Sequence, residues 1–379
     1  MPTYFFKLGN TPKLSLLELE YLLTDKPVPL SSQFAKLETK KELDIKTIQQ
    51  QSGGLVKTFL QVTKLQTNST TEIEAKIIDY LSSKSGKVIF SISILGNQNL
   101  PKINFSTIKK ELLALGLKSR YIESKSQGLS AAVLLHQNVE ELVIINDSNK
   151  LILAKTISIQ NIDDWTKRDR GKPYADIKKG MLPPKVARIM VNIAQGLNNA
   201  SITNQVLYDP FCGSGTILME ALLKGLTVEG ADLDQKSVKG TLDNINWLIS
   251  EYKLSAKFNI TKRDATEKFT GSITPFVDII ATEPFLGKLT PKEKELNNIF
   301  KGLYRTYLGS FKNWTKILKQ NATIVIILPL VETKTKTYNL NKLIDKLHRL
   351  GYTTVSESVI YSRPQAIIKR QIIFLKFKG

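Results

Sequence analysis

In the second half of the chain, short apolar runs alternate with segments whose apolar residues recur at helical spacing. The runs at 206–208, 227–231, 256–261, 276–281 and 322–328 are strand-length. Between them, Val186, Ile189, Met190 and Ile193 stand at i, i+3, i+4 and i+7 behind Pro183-Pro184, which predicts a helix with its start marked. A second helix is expected from about 216 to 224, ended by Gly225, and a third behind Asp234, an N-cap residue, through Val238, Leu242 and Ile245. This alternation predicts an α/β unit built on a mostly parallel sheet. Two further runs, 353–361 and 367–377 around Arg363-Pro364, predict a strand pair that adds an antiparallel edge. Residues 1–160 differ in texture. Strands are expected at 4–8, 88–94, 131–135 and 142–146, around helices near 14–23, 72–81 and 107–115, an α+β pattern. The stretch 163–180 is polar and punctuated by Gly and Pro, and reads as a linker. No internal repeat is visible.

Composition places the chain among globular proteins: 379 residues, 42% hydrophobic and 23% charged, are enough for two or three domains with cores. Lys plus Arg number 54 against 34 Asp plus Glu, a formal net charge of +20, which calls for a polyanionic partner, nucleic acid first. Only nine of those cations are Arg, and the abundance of Lys, Ile and Asn points to compositional drift as part of the cause. The excess is uneven, +6 over residues 1–160 and +14 over 161–379. One Cys and two His exclude both an intramolecular disulfide and a zinc module, so no metal is expected. The longest apolar run, 322–331, is far short of the roughly 20 residues that span a bilayer. The N-terminus, Met-Pro-Thr-Tyr-Phe-Phe-Lys, lacks a signal-peptide layout, and a soluble cytoplasmic protein is expected.

The strongest chemical signal is Tyr208-Asp-Pro-Phe-Cys-Gly-Ser-Gly-Thr216, a glycine-rich turn leaving a strand and opening a helix. Gly213 and Gly215 let backbone approach a ligand closely. A dinucleotide fingerprint needs a third Gly where Leu218 stands, and a phosphate-binding loop of the Walker type needs Gly-Lys-Ser/Thr; both fail. A carboxylate at Asp209 repels pyrophosphate but suits the ammonium of an aminocarboxylate, so S-adenosylmethionine fits best. Asp232 ends the next strand, where a carboxylate can accept both ribose hydroxyls, and Asp264 closes the third, within reach of an adenine amine. The simpler alternative for Asp232 and Asp264 is helix capping.

At the fourth strand's end stands Thr282-Glu-Pro-Phe-Leu-Gly287. A carboxylate at Glu283, beside the Pro284 carbonyl, can orient an exocyclic amine while Phe285 stacks on its base. Positioning then supplies most of the catalysis, and no covalent intermediate is required. Asp278, earlier on the same strand, is the next candidate acceptor. Cys212 has no paired His and reads as a small loop residue rather than a nucleophile, and His136 as a strand residue rather than a ligand.

The glycine loop, the strand end Gly230-Ala-Asp-Leu-Asp234 and the lead-in Gly180-Met-Leu-Pro-Pro-Lys-Val-Ala-Arg-Ile-Met-Val-Asn-Ile-Ala194 resemble those of the THUMP-domain tRNA guanosine N2-methyltransferases. The opening, Tyr4-Phe-Phe-Lys-Leu-Gly-Asn-Thr-Pro-Lys-Leu-Ser-Leu-Leu-Glu-Leu-Glu20, is similar to that family's first strand and helix, and Ser126-Gln-Gly-Leu-Ser-Ala-Ala-Val-Leu-Leu135 to the later part of a THUMP domain. The resemblance implies a ferredoxin-like domain over 1–57, a THUMP-like RNA-binding domain over 58–160, a linker over 161–180 and a Rossmann-like methyltransferase domain over 181–379. It further implies that Asp209, Phe211, Gly213 and Gly215 hold the methionine part of S-adenosylmethionine, Asp232 the ribose, and Asp264 with Ala265 the adenine, while Met181 and Lys185 border the cofactor. Glu283, Pro284 and Phe285 become the catalytic set, and the substrate one guanosine of tRNA, often position ten in the family. Lys167, Arg168, Arg170 and Lys172, with Lys178 and Lys179, are the expected RNA contacts of the linker; the protein is expected to be a monomer, with a small activating subunit left open. Where the family has Asp-Pro-Pro-Tyr-Gly, this chain has Glu283-Pro-Phe-Leu-Gly287. Two rival readings therefore stay open: amino-methylation of DNA or another RNA, and a non-catalytic RNA-binding protein that kept the fold and lost the motif.

Overall fold

The computed structural model describes residues 1–95, 103–124, 128–147, 150–176, 180–198, 205–270 and 274–379. It divides into two compact units, Met1–Asp164 and Trp165–Gly379.

The first unit runs β1 (Thr3–Leu8), α1 (Pro12–Leu22), β2 (Val28–Pro29), β3 (Phe34–Glu38), α2 (Ile45–Gln51), β4 (Leu55–Lys64), α3 (Thr70–Ser82), β5 (Val88–Leu95), α4 (Phe105–Ala114), β6 (Ser119–Tyr121), α5 (Ala131–Gln137), β7 (Glu140–Asp147) and β8 (Lys150–Ile159). All eight strands form one sheet in the order β2-β3-β1-β4-β8-β7-β5-β6. Consecutive residues of β1 are buried on opposite faces, Tyr4, Phe6 and Leu8 in one apolar cluster and Phe5 in another. Glu18 of α1 is buried and accepts from the Ser52 hydroxyl at 2.6 Å and the Gly53 and Gly54 amides at 2.8 Å, which ties the helix to the turn before β4.

Two expectations change here. The segment 131–135 is helical: the Ser130 side chain caps the first turn of α5, and Asn138 at φ 48° ends it. An apolar run of this length fits a strand or a buried helix equally, and the cap decides it. No break separates 1–57 from 58–160, because β4 crosses residue 57 and pairs with β1 on one side and β8 on the other.

The second unit carries most of α6 (Ile162–Arg170), then α7 (Pro184–Asn198), β9 (Val206–Asp209), α8 (Thr216–Leu222), β10 (Thr227–Asp232), α9 (Gln235–Tyr252), β11 (Phe258–Lys262), β12 (Val277–Thr282), α10 (Glu293–Trp314), β13 (Leu318–Glu332), β14 (Thr337–Tyr338), α11 (Asn341–His348), β15 (Tyr352–Tyr361) and β16 (Lys369–Phe377). Its main sheet is ordered β11-β10-β9-β12-β13-β16-β15, and β11 through β13 are parallel. β16 is antiparallel to both neighbours, so the reversed strand lies inside the sheet and the edge strand β15 runs with the others. Helix α10 was not singled out by its pattern, yet it buries Leu296, Phe300, Leu303, Tyr307, Phe311 and Trp314 on one face against β12 and β13.

The first half of the expected linker is the helix α6. Trp165 and Arg168 are buried, with the guanidinium of Arg168 3.9 Å from the Trp165 ring centroid. Among the described residues, no helix is long and apolar enough to cross a membrane.

Candidate active site

The strand order reverses between β9 and β12, and the crevice outside the carboxyl ends of such strands is where ligands bind in open α/β sheets. The glycine loop after β9 is laced to its neighbours there. The Cys212 amide donates to the Ala231 carbonyl of β10 at 2.9 Å, and the Gly213 amide to Asp232 Oδ2 at 2.9 Å. From α9, Thr241 Oγ1 donates to the Gly213 carbonyl and Asn244 Nδ2 to the Ser214 carbonyl, at 2.9 and 2.8 Å. Gly213 and Gly215 take φ of +55° and +74°, the left-handed region that glycine enters freely. A methyl group on Gly215 would also lie 2.8 Å from Thr241 Cγ2.

A cavity of about 740 Å³ opens at this point. Asp209, Phe211, Gly213, Asp232, Asp264 and Ala265 line it, with Met181 from the lead-in and Glu283, Pro284 and Phe285 from the end of β12. Gly215 is not part of the lining. Lys185 is also outside it, its ammonium 5.7 Å from the Trp165 ring.

Asp209 is buried at the end of β9, where it accepts from Thr282 Oγ1 at 2.6 Å and the Phe211 amide at 3.1 Å. Burial pushes its carboxyl up to about 7, and the nearby carboxylates of Asp232 and Glu283 add to the rise. The site therefore has a place for a cation. Asp232 accepts one backbone amide on each oxygen, Gly213 on Oδ2 and Asp234 on Oδ1, which fixes its plane and leaves further lone pairs for ligand hydroxyls. Asp234, rather than Asp232, caps α9. Both bonds to Asp264, from the Thr266 amide and hydroxyl, fall on Oδ1. Three carboxylates and a glycine cradle around one cavity fit an aminocarboxylate nucleoside.

At the end of the neighbouring strand β12, Glu283 is paired with Arg370 of β16, whose Nε donates to Oε1. Burial raises the Glu283 carboxyl from its ordinary range, while Arg370 and, less strongly, Arg363 oppose the rise. Tyr307 of α10 donates its hydroxyl to the Phe285 carbonyl at 2.6 Å, anchoring the motif's backbone. The Phe285 ring is 70% exposed at the cavity. Thr282, Tyr307, Arg363 and Arg370 were not read from the sequence. Thr282 adjoins the motif and was within reach; the other three arrive from distant elements, and pairing at that range leaves no local signal.

Other candidates sit elsewhere. Asp278 lies at the opposite end of β12, where it accepts from the Val206 amide at 2.9 Å and pairs with Lys319 at 2.9 Å; it is not an amine acceptor for this crevice. Burial raises the Cys212 thiol, whose sulfur lies 3.6 Å from Thr241 Oγ1, as suits a packed loop residue. His136 is an exposed residue of α5, not of a strand. Arg168 is buried in an ion pair with Glu220, and Lys172 is buried with its ammonium donating to Thr216 Oγ1 at 3.0 Å, so neither presents a cation to RNA. Lys167 and Arg170 are exposed, Lys167 paired with Glu251. Lys178 and Lys179 lie outside the described residues.

Residues 174–348 match the family model described as UPF0020, "RMKL-like, methyltransferase domain". Over 169 residues the chain is 32% identical to the tRNA (guanine(10)-N2)-dimethyltransferase of Methanothermobacter thermautotrophicus, covering 44% of each chain. The match thus spans less than half the length of that curated relative. Among solved structures, TrmN from Thermus thermophilus is similar at a TM-score of 0.55 and 13% identity over 100% of both chains. SMU.472, a putative methyltransferase complexed with SAH, is similar at 0.52 and 12%, over 100% of this chain and 98% of that one. These two likenesses establish the fold.

Proposed function

Residues 174–348 form a methyltransferase domain of the UPF0020, RMKL-like kind, and on that premise we propose that the protein methylates the N2 amine of a guanosine in tRNA, with S-adenosylmethionine as donor. One observation carries the reading: carboxylates at the ends of adjacent strands, Asp209, Asp232 and Asp264, share a single cavity with the Glu283-Pro284-Phe285 motif. In this account Asp209 holds the ammonium, Asp232 the ribose hydroxyls and Asp264 the adenine amine. Bound there, the cofactor supplies an electrophilic sulfonium methyl group.

The chain's own residues position the acceptor. Phe285, 70% exposed, offers a stacking face to a base drawn out of its helix. Glu283 and the Pro284 carbonyl accept from the exocyclic amine, so that its lone pair faces the crevice. Tyr307 holds the backbone of the motif in register. The choice of tRNA and of guanosine ten follows the name of the relative, supported by the resemblance of the N-terminal stretches to a THUMP region. We assign RNA binding to residues 1–164, with Lys167 and Arg170 as added contacts, and place the enzyme in the cytoplasm as a monomer.

The test is Glu283→Gln. Its affinity for S-adenosylmethionine by calorimetry is expected to stay within about twofold of wild type, while turnover on unmodified tRNA falls by about 10²-fold or more. Full turnover in this variant would place the amine acceptor elsewhere. Competition between tRNA and duplex DNA for the labelled methyl group separates the RNA reading from the DNA one.

A further inference from the structure

The cavity lining contains a second organised feature, the ion pair of Glu283 with Arg370. Arg370 lies on the interior antiparallel strand β16, where it pairs in register with Tyr361 of β15 and Pro329 of β13. Its guanidinium is 5.9 Å from the Tyr361 ring centroid and lines the same cavity as Glu283. The contact with Glu283 is largely shielded, the two side chains being 12% and 14% exposed. Glutamate is one methylene longer than aspartate and has one more torsion to fix, so an anchor on one oxygen determines where the other can point.

We propose that Arg370 is a positioning residue for methyl transfer: by holding Oε1 of Glu283 it fixes the carboxylate's rotamer, keeps it an acceptor, and commits its remaining lone pairs to the substrate amine. The proposal rests on the reading of Glu283 as the amine acceptor. It explains how a glutamate serves where a shorter carboxylate is expected. The charged and titratable groups around Glu283 come from four elements: Arg370 from β16, Arg363 from the turn before it, Asp209 from the end of β9, and Tyr307 from α10. Arg363 is itself held, donating to the Met181 carbonyl at 2.7 Å. Burial, Asp209 and Glu283 favour neutral forms here, and the two guanidiniums oppose them. Without Arg370, Glu283 takes up its proton at higher pH and becomes a donor where an acceptor is required.

Two readouts test this on the full chain, with Arg370→Gln removing the charge and Arg370→Lys keeping it without the Nε geometry. In protein carrying 13C-labelled glutamate carboxyls, the Glu283 signal is identified by its loss in Glu283→Gln, and its titration midpoint is followed. The midpoint is expected to rise by about one unit or more in Arg370→Gln, and by less in Arg370→Lys. In parallel, the acidic limb of the kcat profile on tRNA is expected to move up by the same interval, so that the loss deepens as pH falls and is smallest on the alkaline plateau. An unmoved midpoint overturns the proposal, as does a kcat loss uniform across pH. The titration needs no substrate. Failure of the underlying reading shows separately, as a wild-type enzyme that labels no guanosine.

Discussion

In the proposed function Asp209 is the residue on which cofactor binding turns, and its environment sets a pH dependence. Its folded-state value of about 7 stands above the ordinary aspartate range, with burial as the first cause. The free protein therefore binds a proton here that the unfolded chain does not, between about pH 4 and pH 7, and this group's contribution to stability declines as pH rises through that window. A cationic ligand needs the carboxylate, so binding expels the proton. Affinity for S-adenosylmethionine is expected to increase with pH up to about 7 and then level. Calorimetry at pH 6 in two buffers of different ionisation enthalpy should report release of about one proton per ligand, and almost none at pH 8. Equal heats in the two buffers at pH 6 would show Asp209 already ionised in the free enzyme. In Asp209→Asn the proton release should vanish along with most of the affinity.

The elements flanking the glycine loop are joined by ionic contacts that hydropathy does not reveal. Glu220 of α8 is fully buried and takes Arg168 from α6 and Arg188 from α7, the Arg188 Nε at 2.8 Å. Replacing it leaves two guanidiniums without their carboxylate. Glu220→Gln is expected to cost about 3–5 kcal/mol, read as a lowered midpoint of denaturant unfolding with little change in slope. An unchanged midpoint would mean that the cluster is solvated. The same contacts explain why α6 reads as a linker: its composition is polar, and Arg168 is buried through its ion pair with Glu220 and its place over the Trp165 ring. The run β9 to α9 was legible because strand, glycine turn and cap each leave a local mark, down to Asp234 at the head of α9. The sequence is silent where distant pairing decides. Asp278 and Glu283 are close in sequence, yet an extended strand rises about 3.3 Å per residue and separates its two ends by about 17 Å. Likewise, nothing local in 369–377 says that this strand enters the sheet between β13 and β15 and delivers Arg370 to the crevice.

In the whole molecule, a net charge of +20 is joined to a methyltransferase fold and to a separate α+β unit built on one eight-stranded sheet. The C-terminal unit has one cavity lined by Asp209, Asp232, Asp264 and the Glu283-Pro284-Phe285 motif, which in the proposed function receives a nucleoside cofactor and a flipped base. Charge alone would serve any polyanion. The proposed role of Glu283 and the Pro284 carbonyl as acceptors narrows the choice to an exocyclic amine, which guanine, adenine and cytosine all carry. The measurement that bears most directly on this account is incubation of the protein with unmodified total tRNA and methyl-labelled S-adenosylmethionine, followed by digestion to nucleosides and mass identification of the labelled one. The account predicts label on N2-methylated guanosine. Label on another nucleoside, or none despite intact cofactor binding, would contradict it.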